Sequence, residues 1–431
     1  MKHQNITYCL ISSLLLAAGA SLQANGKSFI STYDEANSGA WQGIDYDGDP
    51  WVFNVSRPYF VTAGLQNRHL SLWASHGRYY YADRDVWKWQ RPNLFCTNED
   101  LFTQTIVVPY LIPMLQNAGA IVFTPRERDW QTNEIVIDND DAVKSVYYIE
   151  KEGSKRWKNC DSVGFANRSR LKDGENPFRM GTVRQAKATK RKKTSQVSYQ
   201  PRFKEAGKYA VYVSYQSLPK SVSDAKYIVY HKGEATEFSV NQRMGGGTWV
   251  YLGTFDFDKG CNEFNRVVCT NKASRRGIVT TDAVRFGGGM GNIERGDYTS
   301  GLPRCLEGAR YYAQWAGAPY KVYGGRKGEN DYADDINTRS LMTNWLGGGS
   351  VYMPAKNGKH VPIELSLALH SDAGYNKDGK STFGALAICT TDYNDGILNS
   401  GISRFTSKDF ARALRDNLVT DLTAQFGEFG K

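Results

Sequence analysis

Apolar and polar positions alternate through LSLWAS, residues 70–75, as they do in a strand with one buried face, and the alternation stops at the pair His76-Gly77. The stretch TNEDLFTQTIVVPYLIPMLQNAG, 97–119, then spaces its apolar residues as a helix does. Thr97 three residues before Asp100 reads as a capping box at its start, and Gly119 as its stop. Pro109 and Pro113 predict a kink or a short interruption inside it, because proline removes a helical N–H. AIVFT, 120–124, is again strand-like. The order strand, helix, strand predicts a parallel sheet.

The pattern changes between about 131 and 290. KYAVYVSYQS, AKYIVYHKG, TEFSVNQ, TWVYLGTFDFD and NRVVCTN are short, alternating and rich in Val, Tyr, Phe and Thr. Such segments predict an antiparallel β-sandwich. The runs MGGGTW and FGGGMGN lack the Lys-Ser/Thr of a phosphate loop and the strand-to-helix setting of a dinucleotide fold, so they read as turns. After about 300 helical and strand patterns alternate again. PRCLEGARYYAQWAG and YADDINTRSLMTNWL read as helices, PIELSLALHSDAG as a strand running into His370, FGALAICTT as another strand, and SKDFARALRDNLVTDLTAQFG as an amphipathic helix opened by Ser407. The expected fold class is therefore α/β, an open and mostly parallel sheet with helices, interrupted by an inserted antiparallel β-sandwich. The expected division is a leader at 1–24, a first α/β part at 28–130, the sandwich at 131–300 and a second α/β part at 301–431. On that division the strands ending at Thr124 and His370 belong to one sheet.

Charge and composition narrow the setting. Lys2 and His3, the apolar run CLISSLLLAAGA and a small residue at Ala24 read as a secretory signal cleaved near Ala24, which predicts a periplasmic or secreted bacterial protein. No later segment is apolar enough to span a bilayer. Beyond the leader there are six cysteines, none spaced Cys-x-x-Cys, which argues against a zinc-thiolate knuckle. An oxidising compartment permits disulfides, with Cys261 and Cys269 as one pair able to bridge neighbouring strands. A net charge of +10 suits an anionic cell-wall polymer or acidic polysaccharide, and export argues against nucleic acid. The basic run KATKRKK, 187–193, reads as a solvated loop.

Candidate chemistry gathers at strand ends. His76 follows LSLWAS and His370 follows LSLAL, each in front of small or polar residues. One such histidine is ordinarily a hydrogen-bonded core residue; two in matched settings are candidates for a shared site. Glu99, in the first turn of the helix, either complements the helix dipole or joins them. Two neutral imidazoles and one carboxylate are the protein ligands of a hydrolytic Zn2+ site, which leaves one position open. In the loop 76–92, Tyr79, Trp87 and Trp89 either line a carbohydrate groove or pack on their own scaffold. Arg78 and Arg91 are candidates for bidentate pairing with a substrate carboxylate.

These blocks, LSLWASHG, then the segment 97–129 closing on TPRERD, then IELSLALHSDAG followed by GALAICTT, resemble the zinc-dependent N-acetylmuramoyl-L-alanine amidases. The resemblance covers roughly 68–130 and 304–392. It implies His76, Glu99 and His370 as the zinc ligands and peptidoglycan as the substrate. Asp372, two residues beyond His370, either orients that ligand or caps a turn. It also implies a catalytic glutamate on a strand after the last helix. Here that helix is followed by a Gly-rich tail carrying Glu428, so no residue is assigned the acid/base role. Either the sequence is a piece of a longer protein or the general acid/base is missing. The middle region, through YAVYVSY, VNQRMGGGTWVYLGTFDF and TTDAVRFGGGMGN, resembles the golvesin C-terminal-like domain, in an arrangement similar to sequences labelled xanthan lyase. The alternative expectation is a non-catalytic glycan- or cell-wall-binding protein on an amidase fold, or a polysaccharide-degrading enzyme.

Overall fold

A computed structural model describes residues 44–62, 64–94, 96–141, 147–371 and 384–427. The leader, Asp372 and Glu428 lie outside the described residues. The chain forms two compact units, one of Tyr46–Asp372 and one of Met1–Asp45 with Ala373–Lys431.

In the first unit strands dominate and helices are few. In chain order the first elements are β1 (Val52–Asn54), β2 (His69–Ala74), β3 (Tyr79–Tyr81), β4 (Val86–Lys88), helix α1 (Glu99–Ile106), a π-helical turn at Val107–Leu111, α2 (Ile112–Asn117) and β5 (Ile121–Phe123). The π turn carries Pro109 and α2 opens with Pro113, so the interruption sits where the missing N–H groups break the ladder. Gly119 follows at φ +100°, and a Cβ there would meet the Gln66 backbone at 2.7 Å. Further along come β6 (Ile135–Asp138), β7 (Tyr148–Lys151), β8 (Lys158–Gly164), β9 (Gly181–Lys187), β10 (Gln196–Tyr199), β11 (Gly207–Val213), β12 (Ala225–His231), β13 (Glu234–Val240), β14 (Val250–Phe257), β15 (Arg266–Thr270), β16 (Ile278–Thr281) and β17 (Ala283–Phe286). The unit ends with α3 (Ala309–Trp315), α4 (Tyr320–Tyr323), α5 (Asp331–Gly347) and β18 (Ile363–Leu369).

The sandwich has a six-stranded sheet, β1-β13-β12-β15-β10-β7, facing a four-stranded sheet, β14-β11-β17-β6. One core joins the two inner faces, with Val197, Tyr227 and Val267 from the first sheet against Val211, Leu252 and Phe286 from the second. Along β11 the alternate residues Ala210 and Tyr212 enter a second core with Phe165, Trp249 and Trp315, so the smaller sheet is covered on both faces. Two features depart from the sequence expectation. Strand β1, from the segment expected to be α/β, pairs antiparallel with β13 at the sandwich edge, positioned by the Trp51 N–H donating to His69 Nε2 at 3.0 Å. The six cysteines of the described residues are unbridged, because Cys269 points into the sandwich core while Cys261 lies in a loop beside Gln200.

The parallel sheet has three strands, β18-β2-β5, and it is the only parallel sheet among the described residues. Leu70, Leu72 and Ala74 of β2 pack with Val107 and Ile112 on one face, while Ser71 on the other hydrogen-bonds Thr343 of α5 at 2.8 Å. Helices therefore lie on both faces of β2.

In the second unit the described residues contain α6 (Phe405–Phe426), which starts two residues before the expected Ser407. Ser403 accepts from the Phe405 N–H at 3.3 Å and opens the turn instead. FGALAICTT is not a strand over its described residues: Leu386 and Ile388 are 82% and 83% exposed, and no neighbouring strand completes their backbone hydrogen bonds among the described residues. No described helix is long and apolar enough to cross a membrane.

Candidate metal centre

The carboxyl end of β2 explains why the strand stops at His76. A Cβ at Gly77 would meet the Glu307 carbonyl at 2.5 Å and Arg126 Nη2 at 2.7 Å, so only glycine lets the chain turn against that backbone. The Arg78 N–H donates to the Leu306 carbonyl at 2.8 Å, and the Gly308 N–H to Arg78, which fixes the exit. Arg339 donates to the Ser75 carbonyl just ahead of the histidine.

Ser75 also places the helix. Its N–H donates to Thr103 Oγ1 at 3.1 Å and its hydroxyl lies 2.8 Å from the same atom, which docks the first turn of α1 beside the strand end. The N-cap of α1 is Asn98, not Thr97: the Asn98 side chain accepts the Leu101 N–H at 2.9 Å, whereas Thr97 closes a tight turn with Leu94. Asp100 cannot complete a capping box because it is buried and engaged elsewhere.

Three side chains converge here. His76, Glu99 and His370 each offer one ligand-type atom, and these atoms all lie within 4.8 Å of one another, although Glu99 and His370 are 271 positions apart. His370 Nδ1 is 2.9 Å from Glu99 Oε1, and the two imidazole rings meet edge to face with centroids 4.8 Å apart. Two donors held about 2.0–2.1 Å from one tetrahedral ion lie about 3.3 Å apart; the three atoms here stand within 4.8 Å, and two imidazoles with one carboxylate are the donor types such an ion takes. The three are the only such group of His, Cys, Asp and Glu among the described residues.

Asp100, expected from the sequence only to complete a helix cap, sits behind the site. Its Oδ1 lies 3.1 Å from His76 Nδ1, and its Oδ2 accepts the Gln90 N–H at 2.8 Å and the Arg91 N–H at 3.3 Å. When His76 Nδ1 donates to Asp100, the other ring nitrogen carries the lone pair that a metal uses. Burial lowers the His76 pKa below the ordinary value, partly offset by the Asp100 hydrogen bond, so the ring is neutral at neutral pH. No pattern in NED separates Asp100 from an acid that only complements the helix dipole.

The five expected substrate residues fall into three groups. Arg91 adjoins the centre, with Nε 3.4 Å from Glu99 Oε2 and Nη1 donating to the Tyr332 hydroxyl at 3.2 Å. Arg78 lies over the Trp89 ring at 4.6 Å, and both are partly buried. Tyr79 and Trp87 pack into the scaffold: Tyr79 is 7% exposed against Tyr332, and Trp87 lies 4.7 Å from the Tyr311 ring.

The motif TPRERD joins β5 to the sandwich. Burial raises the Glu127 pKa, but Arg285 at 2.6 Å and the Tyr212 hydroxyl at 2.6 Å outweigh it and hold the carboxyl below its usual range. Asp129 accepts the Ala210 N–H at 2.7 Å, and Arg126 Nη2 donates to the Cys305 carbonyl at 3.2 Å. These side chains tie the turn after β5 to β11, β17 and the segment before α3.

Residues 172–288 match the Golvesin C-terminal domain. The match takes in β9 to β17, while β1, β6 and β7 from outside it complete the two large sheets. A xanthan lyase of Bacillus sp. (strain GL1) is 34% identical over 97 residues, which covers 22% of this chain and 10% of that protein. The chain thus spans about a tenth of the length of this curated relative. Among solved structures, a Paenibacillus xanthan lyase is 21% identical with a TM-score of 0.28, covering 36% of this chain and 13% of that one. The C-terminal CBM6 of LamC from Zobellia galactanivorans is 15% identical with a TM-score of 0.23, covering 36% of this chain and 99% of that one.

Proposed function

We propose that the chain is an exported zinc hydrolase that cuts the amide between the lactyl group of N-acetylmuramic acid and L-alanine in peptidoglycan. The observation that carries this reading is the approach of His76, Glu99 and His370 to within 4.8 Å of one another at the end of a parallel sheet. Residues 28–130 and 301–431 are the two parts of the hydrolase in this reading, 131–300 is the insertion, and 1–24 is the export leader. His76, Glu99 and His370 would hold a zinc ion, whose chemistry when bound would be Lewis acidity toward the scissile carbonyl. Asp100 holds the His76 ring in one tautomer, and Arg91 sets a cation beside Glu99, where it can meet a substrate carboxylate. A net charge of +10 favours approach to an anionic polymer.

The test is incubation of zinc-loaded full chain with purified peptidoglycan. With no residue assigned as general acid/base, the reading expects slow formation of new L-alanine amino termini with no new reducing ends, and none from a His370→Ala variant that melts like the parent. The Golvesin match and the xanthan lyase likeness favour a second reading, a polysaccharide-binding or polysaccharide-cutting protein on the same scaffold. Release of unsaturated uronate from an acidic polysaccharide, with peptidoglycan untouched, would select that reading.

A further inference from the structure

A groove of about 490 Å³ lies at the opposite end of β2 from His76, a strand length of about 20 Å away. It runs along the seam between the parallel sheet and the sandwich, bounded by β1, the turn before β2, the end of α2, the start of β5 and strands β13 and β14. Five amide residues, Asn54, Gln66, Asn67, Gln116 and Asn117, line it beside Phe53 and Ile121; Gln66 Nε2 donates to Asn67 Oδ1 at 2.8 Å, and Gln66 Oε1 accepts the Val61 N–H at 3.4 Å. Tyr59 and Phe60 stand at its rim, 52% and 61% exposed. Arg57 is anchored through Nη2 to the Gln116 carbonyl at 2.9 Å, with its guanidinium 4.9 Å from the Tyr59 ring centroid. No carboxylate is among the lining residues. Asn54 Oδ1 is buried and receives no hydrogen bond among the described residues.

From this lining we infer that the groove is a second binding site, for an acidic oligosaccharide. An amide both donates and accepts, as a sugar hydroxyl does, so Asn54, Gln116 and Asn117, with the second amide proton of Gln66 and the amide nitrogen of Asn67, match a hydroxyl-rich ligand. Exposed aromatic faces give the C–H faces of a pyranose ring an apolar contact that leaves its hydroxyls free. Arg57 and the lack of any carboxylate set the sign of the ligand: a uronate is attracted and meets no like charge. Asn54 Oδ1 accepts from a hydroxyl that reaches the floor. The groove shares no lining residue with the centre at His76, so it holds a polymer away from the point of cleavage.

Calorimetric titration of the full chain tests this with three probes: a tetrasaccharide alternating glucuronate and N-acetylglucosamine, its carboxyl-reduced form, and an uncharged hexapeptide rich in Ser and Thr. The acidic tetrasaccharide should bind. Tyr59→Ala combined with Phe60→Ala, two exposed positions checked by an unchanged melting temperature, should weaken it by about ten-fold or more. Arg57→Gln should bring its affinity down to that of the reduced form. His370→Ala should leave all of this unchanged, so the groove stands or falls independently of the hydrolase reading. No binding of the acidic tetrasaccharide, equal affinity for its reduced form, no effect of the double substitution, or preference for the hexapeptide overturns the inference.

Discussion

At the scale of single residues, the arrangement around His76 turns on a group one hydrogen bond outside the proposed ligand set. Asp100 is fully buried, and its two oxygens hold the His76 ring and the backbone of Gln90 and Arg91. Asp100→Asn keeps the shape but removes the charge and offers a donor where His76 needs an acceptor. It should lower zinc affinity about ten- to hundred-fold, measured by competition with a chelating dye, with little change in fold. An unchanged zinc affinity would mean that Asp100 does not orient the ligand. The convergence of His76, Glu99 and His370 was legible in the sequence because the two histidines stand in matched strand-end settings and Glu99 opens the next helix. Asp100 was not, because one of two adjacent acids in a first turn gives no sign of which way it faces. Tyr79 and Trp87 were ambiguous for a related reason: an aromatic residue in a loop reads the same whether it faces sugar or Tyr311.

Among the elements, the run 97–119 was readable as a helix with an interruption, and its prolines fall at the π turn and the start of α2. Its end depends on Gly119. Replacing Gly119 by Ala forces a Cβ into the Gln66 backbone at φ +100°, and should cost more than about 1 kcal/mol, read as a lower denaturant midpoint at constant m-value. A midpoint equal to that of the parent would show that the turn relaxes freely. Local patterns failed where pairing decides the outcome. FGALAICTT alternates like a strand, yet its described residues have no partner strand. The three residues of β1 carry too little pattern to be read, yet they complete a sheet because β13 offers an open edge.

For the whole molecule, the sandwich carries a pH signature. Asp138 at the end of β6 and Asp282 just before β17 are buried, and burial raises both carboxyls well above the ordinary aspartate range, with repulsion from Asp282 adding to it at Asp138 and repulsion from Asp140 adding to it at Asp282. The folded state therefore keeps protons that the unfolded chain gives up near pH 4. Their contribution to stability is complete below that pH and is lost as pH rises through the raised values. Asp282→Asn, which can still accept the Phe165 N–H, should flatten the fall in melting temperature on the alkaline side; the same slope in variant and parent would contradict the assignment. The central claim is the metal centre. Zinc content of the purified full chain, by elemental analysis after dialysis against trace zinc, tests it most directly. The account predicts one zinc per chain, lost in both His76→Ala and His370→Ala while each variant retains the parent's circular dichroism. A chain that takes up no zinc, or one whose zinc survives both substitutions, would contradict it.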